Sequence, residues 1–359
     1  MKNLKHCIWG AFFVVGILCC SKEHKTINID PLTCDLIDDL FDTCRIIVLN
    51  SSSQAMISRP GKIIKKDSLY YIHDEDKHKI LFFDSNGNYV SKIDHLGRSS
   101  MEYTHLTNFD VYKNFIYIIS RPDKRVYKYN IFGKFVDKCE LDDWYNEILV
   151  INEDTILLFS NYSNDKLNNY VLFDWNEEKP LLECDKFSYN SSYSLGNNHL
   201  AIFDKDILTT KPFDYNIYKY SNGSIKPMVK MSFNTKYQLK RNKDLSIMAK
   251  DAEKKNVITN FDSFTKIQNK YFIIYNMTFP KGGGFGANFL TSVNIDDSTS
   301  RTICLGIQRS DKFPLGFDNA VLSGNNLIAL ISPLTYQKVT SSTTVDESSN
   351  YVLLEYKLK

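Results

Sequence analysis

Apolar and polar positions alternate in short runs along most of the chain, and between Gly61 and Leu141 one such pattern is written twice at a constant offset of 46 residues. Leu69, Tyr71 and Ile72 recur as Phe115, Tyr117 and Ile118. Ile80, Phe83, Asp84, Gly87, Tyr89 and Val90 recur as Val126, Tyr129, Asn130, Gly133, Phe135 and Val136. Alternation with a period of two is the mark of a half-buried strand. Each copy therefore reads as strand, turn, strand, loop, strand, tight turn, strand. In the first copy Ser85-Asn86-Gly87-Asn88 joins the last two strands, and Asn-Gly supplies the positive φ angles of a tight hairpin. Asn130-Ile131-Phe132-Gly133 stands in the same place in the second copy.

Looser copies fill the rest of the chain. Second strands begin near Ser68, Asn114, Asp154, Asp206, Lys270 and Asn326, with gaps of 46, 40, 52, 64 and 56 residues. Four strands in every 40 to 50 residues or so is the period of a β-propeller, and six units predict six blades. The longer gaps hold insertions. In one of them, Asn242 to Lys255, the residues Leu245, Met248, Ala249 and Ala252 share one helical face, which predicts an amphipathic helix packed on the rim. Pro333 to Ser349, rich in Ser and Thr, reads as a long hairpin loop. The last unit stops after its third strand, ending in Tyr351 to Tyr356, while Arg45 to Leu49 is a strand with no hairpin partner nearby. Joining the two closes the ring and removes an exposed sheet edge. The competing architecture, two stacked β-sandwiches, does not explain a fixed four-strand unit. The expected fold is an all-β, six-bladed propeller closed by an N-terminal strand, with one inserted rim helix.

Composition agrees with strands. The 22 Tyr and 23 Phe, with many Ile and Val, favour pleated, half-buried surfaces. A formal net charge of +2 over 359 residues gives no electrostatic reason to expect nucleic acid as a partner.

The first twenty residues read as an address. Lys2 and Lys5 precede an apolar run from Cys7 to Leu18, which is too short to span a bilayer (about 20 residues are needed) and suits a signal peptide. Ile17-Leu18-Cys19-Cys20-Ser21 resembles a bacterial lipobox, which implies cleavage before Cys20 and lipidation of that residue. Cys19 departs from the usual Gly, Ala or Ser before the cut; a plain secretory signal is the alternative. The predicted organisation is a signal over 1–20, a polar tether over 21–40 and the propeller over 41–359. The expected membrane partner is the outer membrane, reached through the lipid. Ser21-Lys22-Glu23 leaves periplasmic and surface-exposed placement both open.

Five further cysteines, Cys34, Cys44, Cys139, Cys184 and Cys304, are too scattered and odd in number for a disulfide framework, and no spacing suggests zinc. Cys34 and Cys44 have the option of pairing. Otherwise all five read as buried thiols acting as small apolar residues.

Ser91 to Tyr103 (SKIDHLGRSSMEY) and the two Phe-Asp/Tyr-Asn hairpins at 83–89 and 129–135 resemble a family of six-bladed β-propeller lipoproteins of Gram-negative bacteria, related to NHL-repeat propellers. Gly97-Arg98 and Glu102-Tyr103 match the family's turn, while Ser99, Ser100 and Met101 replace its Gly-Pro-containing middle. The likeness is specific only over about residues 61–141. It implies fold and envelope location, with no catalytic residue to carry over.

In a propeller, loops from the second strand to the third, and from blade to blade, meet around the channel mouth, and such loops carry function. The candidates there are His73 and Asp74, then Arg98, Glu102 and Tyr103, then Arg121 and Lys124, and Phe285 at the tip of a Gly-rich loop. His73, His78 and three carboxylates in one loop suit zinc or manganese, but adjacent loop residues cannot all face one ion. Arg98 and Glu102 have two readings, ligand contact or a brace for a blade junction. Lys281 to Gly286 lacks the Gly-Lys-Ser/Thr ending of a phosphate loop. No nucleophile motif is present, so no catalytic residue, metal ligand or cofactor is named. The expected function is an envelope-anchored module that binds a peptide, glycan or protein through one propeller face. The alternative is a metal-dependent hydrolase or lyase with its site in the central channel.

Overall fold

The computed structural model describes residues 26–31, 34–191, 196, 198–240, 244–279, 286–306, 313–314, 316–317, 319–342 and 345–359. Two strands precede the repeats, β1 (Thr26–Ile29) and β2 (Phe41–Val48). Blade one is β3 (Pro60–Lys66), β4 (Leu69–Asp74), β5 (Lys79–Asp84) and β6 (Tyr89–Ile93). Blade two is β7 (Asn108–Tyr112), β8 (Phe115–Ser120), β9 (Arg125–Asn130) and β10 (Phe135–Glu140). Blade three is β11 (Glu147–Val150), β12 (Thr155–Phe159), β13 (Asn168–Asp174) and β14 (Lys179–Lys186). Blade four is β15 (Leu200–Phe203), β16 (Asp206–Lys211), β17 (Asp214–Ser221) and β18 (Ser224–Phe233). Blade five is β19 (Ile258–Ile267), β20 (Lys270–Thr278), β21 (Gly286–Asn294) and β22 (Ser300–Cys304). Blade six is β23 (Asn319–Ser323), β24 (Asn326–Ile331), β25 (Val352–Leu358) and, as its outermost strand, β2.

The repeat strands of each blade are antiparallel neighbours in chain order, with β2 added beyond β25 in blade six, and the first strands of successive blades meet around the channel. The six blades follow the six sequence units. Closure also follows the expectation: β2 lies antiparallel to β25, with Cys44 opposite Tyr356 and Val48 opposite Val352. Both faces of a middle strand must then be apolar, because each blade packs on two neighbours. Apolar cores lie at the six blade junctions, such as Tyr71, Phe82, Tyr103, Phe109, Tyr127 and Tyr129 between blades one and two. Each such aromatic side chain contributes about 1.5–3 kcal/mol by leaving water.

The repeated hairpins explain how neighbouring blades fit. Asp84 accepts the N–H groups of Asn86 and Asn88 at 2.8 and 2.9 Å, and Asn130 accepts those of Phe132 and Lys134 at 2.9 and 3.0 Å. Gly87 alone in its turn takes a positive φ, 84°; Asn86 does not, contrary to the expectation from Asn-Gly. A type I turn closed by a left-handed glycine, with a bulge beside it, gives that pattern. The glycine is also needed for space. A Cβ on Gly87 would stand 2.5 Å from the Val48 carbonyl oxygen of blade six, and one on Gly133 would run into the Lys92 carbonyl of blade one.

Three features depart from the sequence reading. Thr26–Ile29, expected within the tether, pairs in parallel with β18, because Ile27 and Ile29 bury one face of the strand against blade four. Pro333–Thr340, expected as loop, forms helix α2 after the inserted helix α1 (Leu245–Ala252). The overlooked signal was Ser332-Pro333: the serine caps the helix by accepting from the Thr335 N–H, and proline fits the first turn. All five described cysteines are free, and only Cys139 is fully buried; Cys34 is exposed. Helix α1 keeps its predicted face, with Leu245, Met248, Ala249 and Ala252 packed among Tyr162, Phe213 and Val257 over the loop face. Among the described residues no helix is long and apolar enough to cross a membrane.

Candidate functional site

The turn between β8 and β9 brings Arg121 and Lys124 to the loop face. The segment from blade two to blade three brings Trp144 beside them. Together with His105, Thr107, Pro122 and Asn146, Arg121 and Trp144 line a cavity of about 470 Å³. The Lys124 ammonium lies 4.5 Å from the centre of the Trp144 ring and the Arg121 guanidinium 5.9 Å, both within cation–π range. Arg121 Nη2 donates to Ser163 Oγ at 2.6 Å, which fixes the guanidinium, while its Nε is buried with no partner. Neither Arg121 nor Lys124 forms an ion pair among the described residues. The neighbouring Asp123 accepts from Ser120 Oγ and from the N–H and hydroxyl of Thr104, which hold its carboxylate on that side and leave it without an ion-pair contact to either cation. The result is a cavity with a guanidinium and an indole in its wall and Lys124 on the same indole, suited to a ligand that carries an anionic group.

The channel wall is a second polar assembly, built by the innermost strands. Lys62 of β3 donates to Asn108 Oδ1 of β7 at 3.0 Å. Burial pulls its pKa down, while Asp110 and Glu147 draw it back up. Asp110 accepts the Val150 N–H at 2.7 Å, and burial raises its pKa. Glu147 of β11 accepts the His199 main-chain N–H at 2.9 Å and the His199 Nδ1–H on its other oxygen. Asp262 of β19 accepts from Asn260 Nδ2, and burial pushes its pKa up to about 6. The upper mouth is a polar cavity of about 230 Å³ reached by Lys62, Glu75, Asn198, Asp262, Asn288 and Asn319.

The residues named from sequence divide between these places. Arg121 and Lys124 come together on the Trp144 ring, and Arg121 lines the cavity between blades two and three. His73 is buried in β4, its pKa pushed down to about 3 by burial and by His78 and His105. Asp74 is fully buried and accepts the N–H groups of Ser58 and Arg59 at 3.1 and 3.2 Å, which ties the blade-six connection to blade one. Glu102 accepts the Ser99 N–H at 2.9 Å, and such backbone bonds lower its pKa. Tyr103 is buried and donates to the His78 carbonyl at 2.7 Å. Arg98 is exposed and makes no ion pair with Glu102 among the described residues. Phe285 and Cys20 lie outside the described residues. Among the described residues no three His, Cys, Asp or Glu side chains converge as metal ligands.

Residues 25–357 match a family described as a domain of unknown function, DUF4934. The chain belongs to the DUF4934 family. No curated protein matches it. Among solved structures it is similar to a Bacteroides fragilis protein whose name describes it as exported, at 17% identity and a TM-score of 0.73, over 93% of this chain and 100% of that one. It is also similar to a DUF4221 family member from Bacteroides vulgatus, at 12% identity and a TM-score of 0.58, over 89% of this chain and 97% of that one. At these identities the likeness is one of fold.

Sequence reasoning missed His105, Trp144 and the channel residues Lys62, Asp110, Glu147, His199 and Asp262. The channel residues had a signal. Each is a charged or titratable side chain in or next to an innermost strand, as in Thr259-Asn260-Phe261-Asp262, where a propeller turns alternate side chains to the channel. Trp144 had none, because its partners come from turns 20 or more residues away.

Proposed function

We propose that this protein is an envelope-anchored lipoprotein whose propeller binds an anionic glycan or peptide through the cavity between blades two and three. One observation carries the reading: Lys124 and Arg121 lie 4.5 and 5.9 Å from the centre of the Trp144 ring, without ion-pair partners among the described residues, and Arg121 and Trp144 line an open cavity of about 470 Å³. The fixed Arg121 guanidinium, with Lys124 beside it, selects a carboxylate or similar group, and the indole face takes the apolar side of a sugar ring or side chain. The anchoring rests on Ile17-Leu18-Cys19-Cys20, and the short stretch from Cys20 to Thr26 would hold the rim of blade four near the lipid. Outer-membrane placement is part of the same reading.

The binding test is a fluorescence titration of residues 21–359, which lack Trp9, in a Trp175→Phe background, so that Trp144 reports. An oligogalacturonate and a triglutamate peptide should each be tried against their neutral counterparts. Saturable quenching by an acidic probe, weakened tenfold or more in Arg121→Ala, supports the cavity. No saturable change with either probe overturns it. Anchoring is tested separately by lipid labelling, which Cys20→Ala should abolish.

A further inference from the structure

A second cavity of about 460 Å³ opens on the same face between blades four and five, with α1 as one wall. Its chemistry is the reverse of the first. Asp262 and Glu253 bring carboxylates, Asn260 and Asn276 bring amides, and Phe213 with Ala249 and Ala252 make an apolar side. Among the described residues no Lys, Arg or His lines it.

Asp262 has the features of a waiting counter-charge. Asn260 engages only Oδ1, and Thr259 Oγ1 fixes the Asn260 amide at 2.7 Å. No Lys or Arg pairs with Asp262 among the described residues. Lys62, the cation that shares the channel mouth, is directed to Asn108 and toward Asp110 and Glu147. Keeping a carboxylate buried without a cation is costly unless a partner arrives.

A separate observation points to the same place. His199 is fully buried, and its Nε2 has no partner. Its Nδ1 proton is committed to Glu147, so in the neutral ring Nε2 is an acceptor. The Cε1–Nε2 edge of the ring lies behind Gly196, which lines this cavity. A Cβ on Gly196 would stand 3.0 Å from His199 Nε2 and 2.8 Å from Asn260 Nδ2, so the glycine keeps that corner open.

We propose that this cavity binds a primary alkylammonium group, with Asp262 as its counter-ion and the Phe213–Ala249–Ala252 side holding the alkyl stem. The geometry wants a cation on a short apolar chain, as in a free diamine or a lysine side chain. This site is argued without the cationic cavity and stands or falls separately from it.

The test is calorimetric titration of the purified protein at pH 7.5 with cadaverine, with acetyl-Gly-Lys-Gly-amide, and with pentane-1,5-diol as the neutral control. Saturable binding of either amine, no binding of the diol and at least a tenfold loss in Asp262→Asn are expected, with Arg121→Ala unaffected. Preference between the two amines tells a free polyamine from a lysyl peptide. Absence of saturable amine binding to the wild-type protein overturns the site. So does equal binding by a folded Asp262→Asn protein.

Discussion

Glu147 holds the His199 ring with one carboxylate oxygen and the His199 main-chain N–H with the other, across the junction of blades three and four. Both side chains are buried, with 2% and 0% of their surfaces exposed. Glu147→Ala would leave two buried donors without an acceptor and a cavity in place of the carboxylate. Each orphaned group costs roughly 1–3 kcal/mol, so a loss of about 3 kcal/mol is expected in urea denaturation. A change below 1 kcal/mol would mean that the pair is not a structural tie between blades.

His73 gives the protein an acid-sensitive junction. Its folded pKa, near 3, lies below the ordinary value of 6.5, so the unfolded chain takes up the proton first as pH falls. The stability that His73 contributes is fully present above pH 6.5 and is lost as pH drops toward 3, with an upper size of about 5 kcal/mol. Thermal unfolding followed from pH 7.5 to pH 4 should show this slope, and His73→Gln should flatten it. An unchanged slope in the variant would assign acid sensitivity to other groups.

The scaffold was legible because its physics is local and repeated. Period-two alternation, the hairpin glycines and an unpaired strand at each end specify blades and closure without knowledge of distant contacts. The loops diverge where the scaffold repeats. At the 46-residue offset His78 corresponds to Lys124, and Glu75 to Arg121, so equal backbone positions carry different chemistry. Trp144 meets Lys124 only because blade two is already folded. Likewise α2 was hidden in a Ser- and Thr-rich segment whose Ser-Pro cap outweighs its weak helix propensity.

The hairpin glycines should resist even the smallest substitution. Gly87→Ala places a methyl group in a left-handed backbone position and against the Val48 carbonyl. The backbone alone costs about 1 kcal/mol, and the clash must be relieved by parting blades one and six. A total loss of about 2–4 kcal/mol is expected in urea denaturation. Gly324→Ala is the control: its φ is 55°, but nothing lies within 4 Å, so only the backbone penalty should appear.

Ring closure makes the two N-terminal strands unequal. β2 completes blade six and buries Phe41, Ile47 and the outer face of β25, whereas β1 adds a fifth strand to a blade already complete. Deleting residues 26–29 should lower the thermal midpoint by a few degrees and keep cooperative unfolding. Replacing Ile47 with Asp should cost at least 3 kcal/mol, because it buries a charge at the closing seam. Equal damage from both changes would show that β1 is part of the closure.

Asp262 offers the sharpest test of a carboxylate kept for binding. Its folded pKa, near 6, is above the ordinary 3.8, so the folded state holds the proton more tightly. The groups that face it are Asn260 on its own strand, His199 backed by Glu147, Lys62 and Glu75 across the channel mouth, and Glu253 at the cavity edge. Stability from the protonated acid is present below pH 3.8 and lost as pH rises through 6. At neutral pH the bare carboxylate is therefore a cost. Asp262→Asn keeps an acceptor for Asn260 and removes the charge, so it should stabilise the protein by about 1–3 kcal/mol at pH 7.5 and by almost nothing at pH 4. A residue retained only for structure would give the opposite sign. If Asp262→Asn is destabilising at pH 7.5, the carboxylate already has its partner in the fold, and no ammonium is needed to explain it.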